Sequence, residues 1–330
     1  MRFDIRYSCR FEYDELVRES QNELRACPAS DEHQHLVSYR VQTAPSSRVL
    51  SFTDWWGTRV DGFGVREPHL VLDVVAEATV ETRPRPLLTA DPRAEALGDA
   101  AFRDAHAEHL ERTPHASWGP EVAAEAARQA SLAGPGVVSQ ALAIHRFVGS
   151  LQYAPGSTYV GVDVDEVFAR RGGVCQDFAH LATAMCRAVG IPARYVSGYL
   201  FTVDESTGAD GTGDVVEVQT HAWFEAAVPG VGWVALDPTN GLEVGARHVT
   251  IGRGRDYDDV PPLRGVYAGR ATHQLDVTVA IRRVGAPTPP APVSSRRAAS
   301  LSPPAARSDN GQLQHQPLDH HQQQQQQQQQ

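Results

Sequence analysis

The amino-acid sequence predicts an α+β protein, and three observations carry the prediction. Through roughly the first eighty residues the apolar positions alternate; from about Asp91 they recur at helical spacing; beyond Gly190 alternation returns in short runs separated by turns. Helices grouped together and then followed by antiparallel strands argue against a doubly wound parallel sheet, which needs strands and helices to alternate along the chain.

Taken in order, RFDIRYSCRFEY and HLVSYRVQT each place apolar residues on one face of a strand. FTDWWGTRVDGFGV supplies the turn glycines and aromatics of a hairpin, and HLVLDVVAEATVETR reads as a strand pair or one bent strand. Pro84 and Pro86 close this region. DPRAEALGDAAFRDAHAEHLERT opens with an Asp–Pro pair suited to a helix start. GPEVAAEAARQASLAG and GVVSQALAIHRFVGSLQY predict two more helices, and a fourth is expected from near Gly173 to Gly190. ARYVSGYLFTV, VQTHAWFEAAV, GWVALDPT and HQLDVTVAIRRV then read as strands. Beyond about Gly285 the chain turns to proline, serine, alanine and glutamine, ending in a glutamine run from Gln322 to Gln330. Such a segment buries too little apolar surface to offset its ordering entropy, so a disordered tail is expected. The implied organisation is a β-rich domain over 1–88, a second domain over 89–283 and a tail over 284–330.

With 330 residues, 41% hydrophobic and 21% charged, the chain is long enough for a globular core of one large or two ordinary domains. A formal net charge of −10 leaves no broad basic surface for nucleic acid or an anionic membrane. No run approaches the roughly 18 apolar residues of a membrane span. MRFDIRYSCRFEYDELV has neither an apolar core nor a small-residue cleavage site, so no secretory signal is expected. Cys9, Cys27, Cys175 and Cys186 show no close pairing, and a reduced, cytoplasmic setting fits them. Cys27 with His33 and His35 lacks a fourth ligand and the spacing of a zinc site, so no metal or other cofactor is expected.

The chemistry centres on RGGVCQDFAHLATAMCRAVGIP. Cys175, Phe178, Ala182, Met185 and Val189 share one helical face, which turns the thiol inward on the first turn. The unpaired amides and partial positive charge of a helix N-terminus favour a thiolate there, as does a neighbouring imidazole. A buried, inert cysteine fits this segment equally well. In VQTHAWFEAAVPGVGWVALDPTN, a hairpin turn centred near Pro229 would set His221 directly opposite Asp237, with Cβ atoms about 5 Å apart. A carboxylate so placed accepts the imidazole N–H, fixes its tautomer and leaves the other ring nitrogen for a thiol. The alternative is a cross-strand pair that only satisfies two polar groups, and a one-residue slip would put them on opposite faces.

GGVCQDFAHLATAMCRAVGIPARYVSGYL, THAWFE and GWVALDPTNG together resemble the three motifs of the transglutaminase-like superfamily in its bacterial branch. The chain's beginning resembles the β-rich domain that precedes the core in that branch, and RGRDYDDVPPLRGVYAG resembles the segment that follows it. The resemblance covers roughly residues 1–283, with its core motifs at 140–241. It implies a papain-like core in which Cys175 is the nucleophile, His221 its base and Asp237 the orienting carboxylate. It further implies attack on a carboxamide or peptide carbonyl, a thioester intermediate, and an amine or water as acceptor. A protein or peptide substrate with a glutamine or other amide donor follows from the same resemblance. A cysteine protease or amidase using the same residues is the alternative, and a non-catalytic binding module is a further one.

Other residues are weighed beside these. The Cys175 N–H is the natural first oxyanion donor, and Tyr153 is a candidate second, or a packed tyrosine at a helix end. Trp223 shares a strand face with His221 and would wall the cleft or pack in the core. Asp177 and His180 are expected to support the site through hydrogen bonds rather than act in catalysis, and Cys186 to pack in the core. His248 and the stretch Arg255–Asp258 would shape the cleft or form a solvated loop. DESTGADGTGD is acidic and glycine-rich but fails the EF-hand spacing, and is expected as a flexible loop beside the cleft. Glutamine is an acyl donor in the resembling family, which makes the tail a conceivable self-substrate. The chain has no lysine, so only its α-amino group could accept within it.

Overall fold

The computed structural model describes residues 1–156, 161–202 and 215–285. The tail from residue 286 and the acidic loop DESTGADGTGD lie outside the described residues. Strands β1 (Arg2–Val17), β2 (Ser20–Leu24), β3 (Gln34–Ala44), β4 (Val49–Thr53), β5 (Arg59–Val65) and β6 (His69–Thr82) come first. Alternation is the reason they form. Phe3, Ile5, Tyr7 and Cys9 of β1 and Leu72, Val74, Ala76, Ala78 and Val80 of β6 point into one core. The last apolar stretch of this region is thus a single strand, and β4–β5 is the expected hairpin.

Helices α1 (Ala100–Ala105), α2 (Pro120–Ala133) and α3 (Val137–Gly149) follow, then β7 (Gln152–Tyr153), α4 (Val164–Arg170), β8 (Gly172–Gly173) and α5 (Cys175–Ala188). The long first helix expected from Asp91 is broken into short pieces. The Asp99 carboxylate accepts the Phe102 N–H at 2.8 Å and restarts the helix there as an N-cap. The sequence also leaves α4 unmarked; its N-cap is Asp163, which accepts the Asp165 N–H at 2.8 Å.

The remaining strands are β9 (Ala193–Leu200), β10 (Val215–Val218), β11 (His221–Val228), β12 (Gly232–Asp237), β13 (Leu242–Glu243), β14 (His248–Gly254), β15 (Leu263–Tyr267) and β16 (His273–Val284). An antiparallel sheet in the order β13-β12-β11-β9-β14 forms the platform of the second half. Helix α5 is enclosed between this sheet and α2, α3 and α4. Phe178, Leu181, Ala182 and Met185 pack with Phe224, Ala226, Val234 and Leu236. Truncating Leu181 to alanine here costs about 2–5 kcal/mol. Buried Arg187 holds the far end of the helix by donating to the carbonyls of Glu111, Ala193 and Arg255.

Strands from beyond residue 88 complete both N-terminal sheets. The first runs β10-β16-β1-β6-β3 and the second β15-β2-β5-β4, and Met1–Ala286 form one compact unit. Tyr199 and Phe201 at the end of β9, with Val249 and Ile251 of β14, extend the platform into the N-terminal core.

One close approach shapes the platform near its functional end. Gly198 pairs with His221, and a Cβ at Gly198 would lie 2.5 Å from Trp223 Cη2 and against the Val249 carbonyl. Gly198→Ala is therefore expected to cost about 1–3 kcal/mol by overpacking, read as a lower urea midpoint with an unchanged m-value.

Candidate active site

Cys175 is the first residue of α5 and is half-buried against Ala179, Tyr195, Ala222, Val260 and Tyr257. The amides of the first turn have no acceptor within the helix, so the thiol lies at the positive end of the dipole. Asp177 holds that end in place. It is buried, and its Oδ2 accepts the Val174 N–H at 2.8 Å.

His221 opens β11. Its Nε2 lies 2.8 Å from Asp237 Oδ2, and the Cys175 thiol is near enough to act on the ring's ionisation. Burial opposes ionisation of this imidazole, but the hydrogen bonds to Asp237 and Cys175 win and raise its pKa to about 9. Asp237, at the end of β12, is fully buried. Burial would push its carboxyl pKa up; hydrogen bonds from His221, His248 and Asn240 overcome that and hold it far below the usual carboxylate range. Oδ2 receives His248 Nε2 at 3.1 Å and Asn240 Nδ2 at 2.8 Å, while Oδ1 accepts the Thr239 N–H at 3.0 Å.

The histidine and aspartate meet in a register that differs from the expected one. Phe224 pairs with Leu236 and Val228 with Gly232, so the turn is centred on Gly230, which adopts φ 72°. Continued one pair further, that ladder sets Asp237 across from Trp223, and His221 reaches it diagonally. A two-residue shift keeps side chains on their original face, so the contact survives.

His248 and Asn240 complete the cluster, and sequence reasoning assigned neither of them this place. The Gly245 N–H points at His248 Nδ1 at 3.2 Å, so His248 carries its proton on Nε2 and donates it to Asp237. Burial keeps the His248 pKa below its usual value, so the ring acts as a neutral donor. The ligand atoms of His221, Asp237 and His248 lie within 4.8 Å of one another, a spacing that would suit a cation. The tautomer set by Gly245 makes His248 Nε2 a donor rather than a ligand, which argues against a metal there.

Tyr153 sits next to α5. Its strand pairs with Gly173, its ring meets Phe178 edge-on at 6.4 Å, and it is 51% exposed. Partial burial and then the neighbouring Cys175 push its phenol pKa up. Trp223, weighed above between cleft wall and core, is wholly buried with Val196, Ala235 and Val244. It underlies the site, edge-on to His248 at 5.3 Å. His180 is buried away from solvent, where Nε2 accepts the Tyr257 N–H at 3.2 Å and the ring stacks on Tyr195 at 4.6 Å. Cys186 and Cys27 are buried, and burial pushes each thiol up to about 12.

A thiol at a helix N-terminus, an imidazole and a buried carboxylate on a papain-like α+β scaffold define a class, and the comparisons agree with it. The chain belongs to the transglutaminase-like superfamily. Residues 124–238 match the family of that description, and residues 3–81 match the bacterial transglutaminase-like N-terminal region. An uncharacterized protein of Mycobacterium leprae is 37% identical over 284 residues, spanning 86% of this chain and 99% of its own. An uncharacterized protein of Mycobacterium tuberculosis is 34% identical over 299 residues, 84% of this chain and 91% of its own. Pseudomonas aeruginosa protein-glutamine gamma-glutamyltransferase is 35% identical over 117 residues, 33% of this chain and 17% of that protein. A solved structure from Cytophaga hutchinsonii, provisionally assigned as a cysteine protease, shares the fold. Its TM-score is 0.64 at 23% identity, over 87% of this chain and 92% of that one.

Proposed function

We propose that this protein is a cysteine-dependent acyl-transfer enzyme that acts on carboxamide or peptide carbonyls through a Cys175–His221–Asp237 triad. The observation that carries the reading is Asp237 Oδ2 lying 2.8 Å from His221 Nε2, with the Cys175 thiol among the groups that raise the His221 pKa. In this reading His221 takes the thiol proton and the sulfur attacks the carbonyl carbon. The Cys175 N–H and, for a suitably seated substrate, the Tyr153 hydroxyl stabilise the oxyanion. The C–N bond then breaks, ammonia or an amine leaves with the proton from His221, and a thioester remains. An acceptor amine or water attacks that thioester, His221 receives the incoming proton, and the C–S bond breaks to restore the thiol.

Amine transfer is the reading favoured by the similarity to the Pseudomonas glutamyltransferase, and a protein or peptide amide donor is the substrate class. The test is incubation with a glutamine peptide and a labelled primary amine. Label incorporation supports transfer; release of the free acid or backbone cleavage supports the hydrolytic form. Absence of all three products under conditions where the protein is folded would sink the proposal. Activity is also expected to fall as pH rises past about 9, where the imidazolium that protonates the leaving group is lost. A kcat/KM profile that stays flat through pH 10 (~1 unit above that pKa) contradicts this assignment of His221.

A further inference from the structure

A pocket of about 680 Å³ lies at the other end of β11 from the thiol, lined by Arg85, Arg194, Arg253, Glu225, Leu88 and Trp233 among others. Glu225 is four residues beyond His221, about 13 Å along the strand at ~3.3 Å per residue, so the pocket is not the candidate active site. Its floor is a buried ion network. Glu225 is wholly buried; Oε2 accepts Arg194 Nε at 2.8 Å and Arg253 Nε at 3.1 Å. Arg253 Nη2 also donates to Asp31 Oδ2 at 2.7 Å.

Arg85 stands apart from this network. Its side chain is 19% exposed, and its ion pair with Glu225 Oε1 is 3.6 Å long, too far for a hydrogen bond. Among the described residues its guanidinium makes no hydrogen bond. The three arginines of the floor thus face two carboxylates, those of Glu225 and Asp31, which leaves one cation without a full partner. Of the acidic residues at the rim, Glu32 is 84% exposed beside His33, and Glu243 is exposed on β13. Neither supplies the missing buried charge. Burial lowers the pKa of both Arg85 and Arg194, as expected where cations are desolvated beyond what their counter-ions offset. Beside these cations stand apolar walls, with Arg194 stacked on Trp233 at 3.8 Å and Leu88 and Val231 nearby.

We propose that this pocket binds a small organic carboxylate with an apolar body, its carboxylate held by the Arg85 guanidinium and its apolar part against Leu88, Val231 and Trp233. The planar fork of a guanidinium matches a carboxylate in a way an amide cannot, because the amide is neutral and places a donor against donors. The proposal does not rest on the acyl-transfer reading.

The test titrates N-acetyl-L-phenylalanine and N-acetyl-L-leucine, each against its amide, into the full chain carrying Cys175→Ala, followed by calorimetry. Removing the thiol keeps the amides from reacting and leaves the pocket intact. Saturable binding of an acid, with its amide bound at least tenfold more weakly, is expected, since each tenfold is about 1.4 kcal/mol. Arg85→Gln is expected to lose the acid's binding by a further tenfold or more, and Arg85→Lys to lose less, because it keeps the charge without the fork. No saturable binding of either acid, or equal binding of acid and amide, overturns the proposal. Because acid and amide are compared on the same folded protein, that result stands whether or not the Arg85 variants fold.

Discussion

Replacing Cys175 with alanine is expected to lower turnover of a glutamine peptide by about 10⁴-fold or more, with little change in stability. In the proposed route the sulfur is the atom that forms and breaks the covalent bond, so its loss removes that route rather than slowing it. The side chain is half-buried, and deleting one heavy atom at such a position changes stability by about 1 kcal/mol or less. A steady-state assay beside a urea titration separates the two effects. If the variant keeps more than about one part in a hundred of the activity, the covalent route is excluded.

Asp237→Asn is expected to cost both activity and stability. Oδ2 receives donors from His221, His248 and Asn240, and an amide at this position either turns its own N–H₂ towards donors or loses one of them. Without the carboxylate charge, the His221 imidazolium loses its main support, and turnover should fall by about 10³- to 10⁴-fold. Breaking a buried, hydrogen-bonded charge pair should also destabilise the fold by about 3 kcal/mol. The pH dependence carries a definite sign. A pKa raised from 6.5 to about 9 in the folded state contributes stability that is fully present below pH 6.5. That contribution is lost as pH rises through about 9. Urea midpoints of the unaltered protein should therefore decline over that window, and the decline should be much smaller in Asp237→Asn. A variant with the same slope as the parent would show that Asp237 does not govern His221.

The parts of this site that could be read from the sequence were those set by local rules. Gly173 and Gly190 bracket a helix whose apolar face fixes where Cys175 points, and the structure starts α5 at that residue. The hairpin joining His221 to Asp237 was legible in outline only. Gly230 rather than Pro229 centres the turn, and the face is right because the error is an even number of residues. His248 and Asn240 were not assigned to the cluster, since no periodicity marks a side chain that reaches a carboxylate from another strand or from a turn. The Asn three residues after Asp237 was the available signal, as short polar side chains in turns commonly bond nearby groups.

Fold assignments failed where pairing is non-local or polar. β2 buries Ser20 and Asn22 along with Leu24, so hydrophobic alternation does not reveal it. β16 reads as a strand, yet nothing local says that it, β10 and β15 add to sheets begun by residues 2–17 and 20–24. Of the two places weighed for Trp223, cleft wall or core, the indole takes the second, wholly buried with Val196, Ala235 and Val244.

The central claim is that Cys175 carries an acyl group during turnover. The most direct measurement is intact-protein mass spectrometry after acid quench of the full chain mixed with a glutamine peptide and no amine. The account predicts a species heavier by the peptide mass less ammonia, mapped to Cys175, sensitive to hydroxylamine and absent from Cys175→Ala. Product formation with no such adduct at any quench time, or an adduct on another residue, would contradict it.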